Sequence, residues 1–236
     1  MEMAKNMRVS VILPAAGLGT RMGKSAKKQF LELDGVPILI HTLRRFARIE
    51  EVHEIIVACR DEDMADVKGM LSGTPLIKPV RLVEGGDSRQ ESVEHALATV
   101  ADDVDLVAVH DAVRPFADEM MIRTVIAAAA ESGAAIVGIV PVDTVKQVHL
   151  AKVQTTISRD RLVLAQTPQV FRTALLKQAF EKAREDGFIG TDESSLVERL
   201  DVIDVQVVPG SDRNIKITRP RDLDLARHFL AEENGS

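Results

Sequence analysis

From Val9 onward, short runs of β-branched and apolar residues alternate with longer stretches in which apolar positions recur every three or four residues. The short runs are Arg8–Pro14, Glu54–Cys59, Val80–Val83, Val104–Val109 and Ala135–Val140. The longer, amphipathic stretches lie near Ile38–Ile49, Asp61–Leu71, Ser88–Val100 and Asp118–Glu131. Short apolar runs suit strands buried on both faces, and their alternation with helical periodicity predicts βαβ units. The expected fold is α/β and Rossmann-like: a mostly parallel sheet with helices on both faces.

After Pro141 the rhythm changes. Across Asp143–Ser158, the residues Val145, Val148, Leu150, Val153, Thr155 and Ile157 roughly alternate with polar ones. That pattern suits an exposed hairpin or arm, although no Asn-Gly or Asp-Gly marks its turn. Further elements are expected at Leu162–Ala165, at a helix near Thr173–Asp186, at a strand Val205–Val208 and at Asn214–Ile217. A last helix should open with Thr218 as its cap and Pro220 in its first turn. There is no internal repeat, low-complexity tract or Pro/Gly/Ser linker. The simplest organisation is a single domain over residues 1–236 with a protruding β-arm at about 143–158. An arm of this kind is marginal alone, so it is expected to pair with a partner in a homodimer.

Composition narrows the function. A chain of 236 residues buries roughly 70–75% of its unfolded surface and needs no disulfides. The only cysteine, Cys59, ends an apolar run, which excludes a disulfide framework and a cysteine-based zinc site. The formal charge is −6 with acids and bases interspersed, so nucleic acid is not an expected partner. Without Trp or Tyr, a base must be read by backbone and polar side chains. No apolar stretch reaches membrane-spanning length. Lys5 and Arg8 before the first apolar run mimic a signal peptide, but that run is β-branched and enters a glycine turn carrying Arg21. A cytoplasmic protein with no membrane partner is expected.

In open parallel sheets, ligands sit beyond the carboxyl ends of the strands. Here those ends carry PAAGLGTRMGKSAKKQF, GGDSRQES, HDAVRP and PVDTVK. The first loop nearly spells two phosphate-binding motifs. A Walker A loop would need glycine where Leu18 stands, and a dinucleotide fingerprint would need it at Met22. The second failure argues against a dehydrogenase. Small residues at Ala15, Ala16, Gly17 and Gly19 let backbone amides approach an anion, and Arg21, Lys24, Lys27 and Lys28 add positive charge. That combination suits a triphosphate whose charge changes during reaction. Taken alone, it equally suits a glycine turn carrying solvated lysines.

The run PAAGLGTRMG…KKQFLELDGVPIL resembles the signature of nucleotide-sugar pyrophosphorylase-like nucleotidyltransferases, A-A-G-x-G-x-R followed by P-K and G-x-P-L. With GGDSRQES, VHDAVRP, PVDTVK, LAQTPQVF, TDESSLVE and NIKITRP, the chain is similar to the 2-C-methyl-D-erythritol 4-phosphate cytidylyltransferase family from about Val9 to about Leu230. Lys27 stands where the family pattern has proline, and the segment Pro141–Thr144 is one residue shorter than the common form. The resemblance implies transfer of CMP from CTP to a sugar-alcohol phosphate with release of pyrophosphate, a divalent cation such as Mg2+, and a homodimer. D-ribitol 5-phosphate is the alternative acceptor. A nucleotide-binding regulatory module without chemistry is a further alternative, which the presence of both Arg21 and Lys28 opposes. Because the chain closes soon after its last motif, no fused second enzyme is expected.

The resemblance also implies roles for individual residues. Arg21, Lys28, Arg159 and Lys216 are catalytic, with Arg21 and Lys28 stabilising the pentavalent transition state and the leaving pyrophosphate. Ala15, Ala16 and Gly17 line the nucleotide, while Gly86, Asp87 and Ser92 read cytosine and ribose. Asp111 lies near ribose, metal and substrate. Arg114, Thr144, Arg159, Thr167 and Lys216 hold the methylerythritol phosphate. From the residues alone, Asp111 reads as functional rather than as a turn carboxylate paired with Arg114, because it sits at a strand's carboxyl end, whereas Arg159 and Lys216 read as surface charges. His110 has no second histidine spaced to join it as a metal ligand and is read as structural. Asp192 and Glu193 read as first-turn acids of a helix.

Overall fold

The computed structural model describes residues 7–17 and 27–235, with only the backbone of Lys28. Its strands are β1 (Val9–Pro14), β2 (Glu32–Leu33), β3 (Val36–Pro37), β4 (Val52–Cys59), β5 (Val80–Glu84), β6 (Leu106–Val109), β7 (Ala134–Ile139), β8 (Val145–His149), β9 (Lys152–Ile157), β10 (Leu164–Arg172) and β11 (Gln206–Pro209). Its α-helices are α1 (Ile38–Ala47), α2 (Met64–Ser72), α3 (Arg89–Ala98), α4 (Glu119–Ser132), α5 (Thr173–Glu185), α6 (Glu193–Glu198) and α7 (Pro220–Asn234). Seven strands form one sheet in the order β11-β7-β10-β6-β1-β4-β5. The pairs β6–β1, β1–β4, β4–β5 and β7–β11 are parallel. Strand β10 runs antiparallel between β6 and β7. The sheet is therefore mostly parallel, as expected.

Alternation along the strands builds the two layers. Val9, Val11 and Leu13 of β1 pack with α1 and α4 through Leu43, Phe46, Ile122 and Val125. Ile12 points the other way, toward Val93 and Ala96 of α3, Leu176 and Phe180 of α5, and Leu196 of α6. A third cluster joins Leu33 and Ile38 to Phe116, Ile217, Ala226 and Leu230, seating α7. Each fully buried side chain of this size contributes about 1.5–3 kcal/mol. Helix α4 shows how sequence sets its limits. Asp118 Oδ1 accepts from the Met121 N–H at 2.8 Å, and Gly133 ends the helix in the left-handed region at φ +94°.

Four local expectations are corrected. Strand β10 is nine residues long rather than a short element at Leu162–Ala165, because a register shift between Gln166 and Gln169 accommodates Pro168 inside it. Residues Asn214–Ile217 form no strand. They are a buried strap tied by side chains and by Ile217 N–H donating to the Val113 carbonyl at 3.0 Å. Helix α7 is capped at Arg219, and Asp222 reaches back to accept from the backbone of Thr218 and Arg219, both at 2.8 Å. The stretch Asp61–Leu71 splits into a 3-10 turn, Asp61–Asp63, and α2.

Strands β8 and β9 form a separate antiparallel hairpin whose residues are exposed except for the half-buried Val145. Its turn uses Leu150 and Ala151 in the left-handed region, at φ +47° and +62°, instead of the glycine or asparagine such turns favour. Leu150 at the tip is 83% exposed.

Candidate active site

The carboxyl ends of β6, β1, β4 and β5 lie side by side and enclose a cleft of about 240 Å³. Backbone bonds fix its floor. Ala15 N–H donates to the Ala58 carbonyl at 2.7 Å, Gly85 N–H to Cys59 at 2.8 Å, and His110 N–H to Ile12 at 2.9 Å. The buried Gln29 side chain donates to the Ala15 carbonyl at 2.7 Å, which ties the 3-10 turn Lys28–Phe30 to the cleft. Gly85 allows the segment after β5 to approach the loop after β1: a Cβ there would come within 2.7 Å of the Ala16 Cβ. The loop into α3 shapes itself. Ser88 Oγ accepts from Glu91 N–H at 3.0 Å, Glu91 accepts from Asp87 N–H at 2.8 Å, and Ser92 Oγ accepts from Gly86 N–H at 3.1 Å.

Asp111 is the electrostatic centre. Its Oδ1 accepts from Arg89 Nε at 3.2 Å, while its Oδ2 meets Arg114 Nε at 3.1 Å and Lys216 Nζ at 3.0 Å. Burial alone would raise the carboxyl pKa. The charges of Arg89, Lys216 and Arg114 outweigh it and hold the group well below the usual carboxylate range. Arg89 is itself gripped by Glu193, which accepts from Nη1 at 2.7 Å and Nη2 at 3.0 Å. Glu193 is almost fully buried, and burial pushes its carboxyl up against the pull of Arg89.

Behind Asp111, the Thr167 hydroxyl accepts from Asp111 N–H at 3.0 Å and lies 3.1 Å from His110 Nδ1. His110 Nε2 donates to the Arg114 carbonyl at 3.0 Å, which fixes a neutral tautomer. Burial, above all, pushes its pKa down to about 4. Asn214 completes the scaffold. Its side chain donates to the Thr167 carbonyl at 2.8 Å, and its own carbonyl accepts from Arg114 Nη1 at 2.6 Å. The strap carrying Lys216 thereby lies over Asp111.

Ala15, Ala16, Gly17, Gly86, Asp87, Ser92, Asp111 and Lys216 all line the cleft. Arg114 and Lys216 also line an adjoining open groove of about 440 Å³. Thr144, Arg159 and Thr167 line neither, Thr167 being buried behind Asp111. Thr144 precedes β8, and Arg159 opens an exposed 3-10 turn after β9, where its guanidinium donates to the Val142 carbonyl. Arg21 and the Lys28 side chain lie outside the described residues. Sequence reasoning missed Arg89, Gln29 and Asn214, and read Glu193 only as a helix-end acid. Asp192 does cap α6, accepting from Ser195 N–H at 3.1 Å, but Glu193 shares a helical face with the buried Leu196 and Val197. That i, i+3, i+4 spacing was the available signal that it faces inward.

A mostly parallel sheet whose strand ends carry a glycine-rich loop, small residues and a cationic ring around one carboxylate defines a nucleotide-binding α/β protein of the nucleotidyltransferase class. A sequence profile described as 2-C-methyl-D-erythritol 4-phosphate cytidylyltransferase matches residues 9–232. The chain is 58% identical over 239 aligned positions to the protein of that name from Solibacter usitatus, covering 96% of this chain and 97% of the relative. It is 52% identical to the one from Acidobacterium capsulatum, covering 97% and 100%. Among solved structures, 4-diphosphocytidyl-2C-methyl-D-erythritol synthase from Anaerococcus prevotii superposes with a TM-score of 0.87 at 33% identity, over 98% and 99% of the two chains. The chain belongs to the 2-C-methyl-D-erythritol 4-phosphate cytidylyltransferase family.

Proposed function

We propose that this enzyme transfers CMP from CTP to 2-C-methyl-D-erythritol 4-phosphate, giving 4-diphosphocytidyl-2-C-methyl-D-erythritol and pyrophosphate, a step of non-mevalonate isoprenoid biosynthesis. Ribitol phosphate is not favoured as acceptor, since the relatives named above carry the methylerythritol name. The observation that carries the reading is the Asp111 carboxylate held by Arg89, Arg114 and Lys216 in a cleft that Gly86–Ser88 also line. The cations suit a phosphate, and the Gly86–Ser88 backbone suits a base.

The acceptor phosphate is already an anion, so the reaction needs no strong general base. The demand is electrostatic, because two anions must meet while pyrophosphate gains charge. In the proposed division, Arg21 and Lys28 face that developing charge. Lys216 and Arg114 hold the acceptor phosphate, and Ala15–Gly17 with Gly86, Asp87 and Ser92 hold the nucleotide. Enzymes of this class generally need a divalent cation, and Mg2+ is proposed here. No group of three or more His, Cys, Asp or Glu side chains is placed to cage a metal among the described residues. Asp111 already accepts three cationic contacts, so it offers at most one ligand. That fits Mg2+, which takes one or two carboxylates and fills its shell with substrate phosphates and water. When bound, the ion would neutralise triphosphate charge.

Arg159 and Thr144 reach the acceptor, in this proposal, from the arm of a second copy of the chain. The exposed apolar residues Val142, Val148, Leu150 and Val153 on and around the hairpin support such a docked arm. No helix among the described residues is long and apolar enough to cross a membrane, and with water-soluble substrates the proposed location is the cytoplasm. The test is pyrophosphate release with CTP against methylerythritol phosphate and ribitol phosphate in parallel, then with UTP and ATP. Release with CTP and methylerythritol phosphate alone is expected. Equal turnover of UTP, or preference for ribitol phosphate, contradicts the assignment.

A further inference from the structure

The end of β4 carries a cation that none of the roles above uses. Arg60 lines the cleft between the ends of β1 and β5. Its Nε donates to the Ala16 carbonyl at 3.0 Å, so the guanidinium is fixed on the very backbone expected to hold the nucleotide. Its Nη1 points to Glu62 Oε1 at 3.5 Å, a weak contact to a side chain that is 61% exposed. Glu62 also meets Lys27 Nζ, at 3.6 Å. Nη2 has no partner among the described residues. Lys27 is anchored independently by the buried Asp63 carboxylate and directly precedes Lys28. On its Nη1 side the Arg60 fork thus shares Glu62 with Lys27, the residue that precedes Lys28.

Two cations thus converge on one exposed, weakly held carboxylate at the rim of the cleft. A phosphate carries more charge than Glu62 and presents oxygens that match a guanidinium fork. We propose that Arg60 is a binding residue for the β- and γ-phosphates of the nucleotide, with Glu62 holding the anion position until the triphosphate displaces it. This rests on the reading of the chain as a CTP-using enzyme. It adds a contact on the pyrophosphate side of the cleft, opposite the acceptor side occupied by Arg114 and Lys216.

The experiment first measures CTP-dependent pyrophosphate release by the wild-type protein; if that is absent, the parent reading fails, whatever Arg60 does. Calorimetric titrations with CTP and with CMP, both with Mg2+, then compare wild type, Arg60→Gln and Glu62→Gln, with melting curves to confirm folding. Arg60→Gln keeps an N–H able to reach Ala16 but loses the charge and the fork. It should weaken CTP roughly tenfold, the scale of one partly exposed charge-assisted contact, and leave CMP within about twofold. Glu62→Gln, by removing the competing anion, should tighten CTP by about two- to fivefold. The KM for methylerythritol phosphate should hold within about twofold in both. Equal weakening of CTP and CMP would mean that Arg60 only anchors Ala16 or meets the base. That result, unchanged CTP affinity in Arg60→Gln, or weaker CTP binding in Glu62→Gln would overturn the proposal.

Discussion

Arg114 and Arg159 are both arginines proposed to meet the same phosphate, yet they sit in opposite physical conditions. Arg114 is 11% exposed, with one nitrogen on Asp111 and another on the Asn214 carbonyl. Arg159 stands at the base of a hairpin whose side chains are nearly all exposed, and among the described residues its guanidinium bonds to the Val142 carbonyl. The cleft is preorganised by its own chain: Arg89, Arg114, Lys216, Asn214 and Thr167 each fix a neighbour. The hairpin is fixed by little besides its own ladder, and two left-handed non-glycine residues form its turn. Fixed charges in a dry cleft can act on a transition state without reorganising. Exposed ones contribute little until something covers them. On the proposed reading, one chain builds the nucleotide half of the site and the Arg114–Lys216 side of the acceptor half, and an arm supplies the rest.

The largest effect should come from breaking the buried network. Glu193→Ala removes both terminal-nitrogen contacts of the half-buried Arg89 and leaves it on Asp111 alone, which should cost about 1.5–3 kcal/mol of stability by urea unfolding. Lys146→Ala on the arm, where the ammonium meets only the exposed Thr156 hydroxyl, should cost under about 0.5 kcal/mol. Similar losses from the two substitutions would erase the contrast. Next in size, Lys28→Ala should lower kcat by roughly 10²–10³-fold with little change in either KM, the mark of a charge that acts on the transition state.

The pH dependence comes third. His110 is buried as the neutral imidazole, its pKa pushed down to about 4 from an ordinary 6.5. As pH falls, the unfolded chain takes up this proton first. Its contribution is therefore complete above the unfolded value and is lost as pH drops from 6.5 toward 4. The loss is on the order of 3 kcal/mol. Comparing wild type with His110→Gln by urea unfolding at neutral pH and near pH 4.5 should show a shallower decline in the variant. Parallel declines would mean that the ring is not held neutral. The smallest effect belongs to the arm. Arg159→Ala should raise the KM for methylerythritol phosphate by roughly tenfold and leave that for CTP nearly unchanged. If CTP weakened instead, the two halves of the site would have to be exchanged.

Strong local signals made much of this legible. Buried strands β1, β4 and β6 announce themselves as apolar, β-branched runs, interrupted by Ser10 in β1 and by His53 and Glu54 near the start of β4, and Asp118 and Gly133 bound α4. Long-range ties were not legible. Nothing local says that β10 lies antiparallel between β6 and β7, or that a proline inside it is absorbed by a register shift. Asn214–Ile217 has the composition of a strand, but the backbone N–H groups of Asn214, Ile215 and Ile217 go to the carbonyls of Ser211, Arg213 and Val113 instead of to a ladder. Arg89 and Glu193 are 104 residues apart and find each other only in the fold. Asp34-Gly35, both at positive φ, turns between β2 and β3, and strands of two residues each are too short to show an alternating pattern in the sequence.

Whether the acceptor half belongs to a second chain can be measured directly with mixed dimers. Separately tagged Lys28→Ala and Arg159→Ala chains are co-expressed, the doubly tagged species is isolated, and pyrophosphate release is followed at low methylerythritol phosphate. If each arm serves the opposite cleft, one of the two sites in the mixed dimer has both Lys28 and Arg159, and activity should return to about half that of wild type. If each arm serves its own cleft, no site is intact. The mixed species would then be no better than the average of its two parents, and the division between a self-built cleft and a borrowed arm would be wrong.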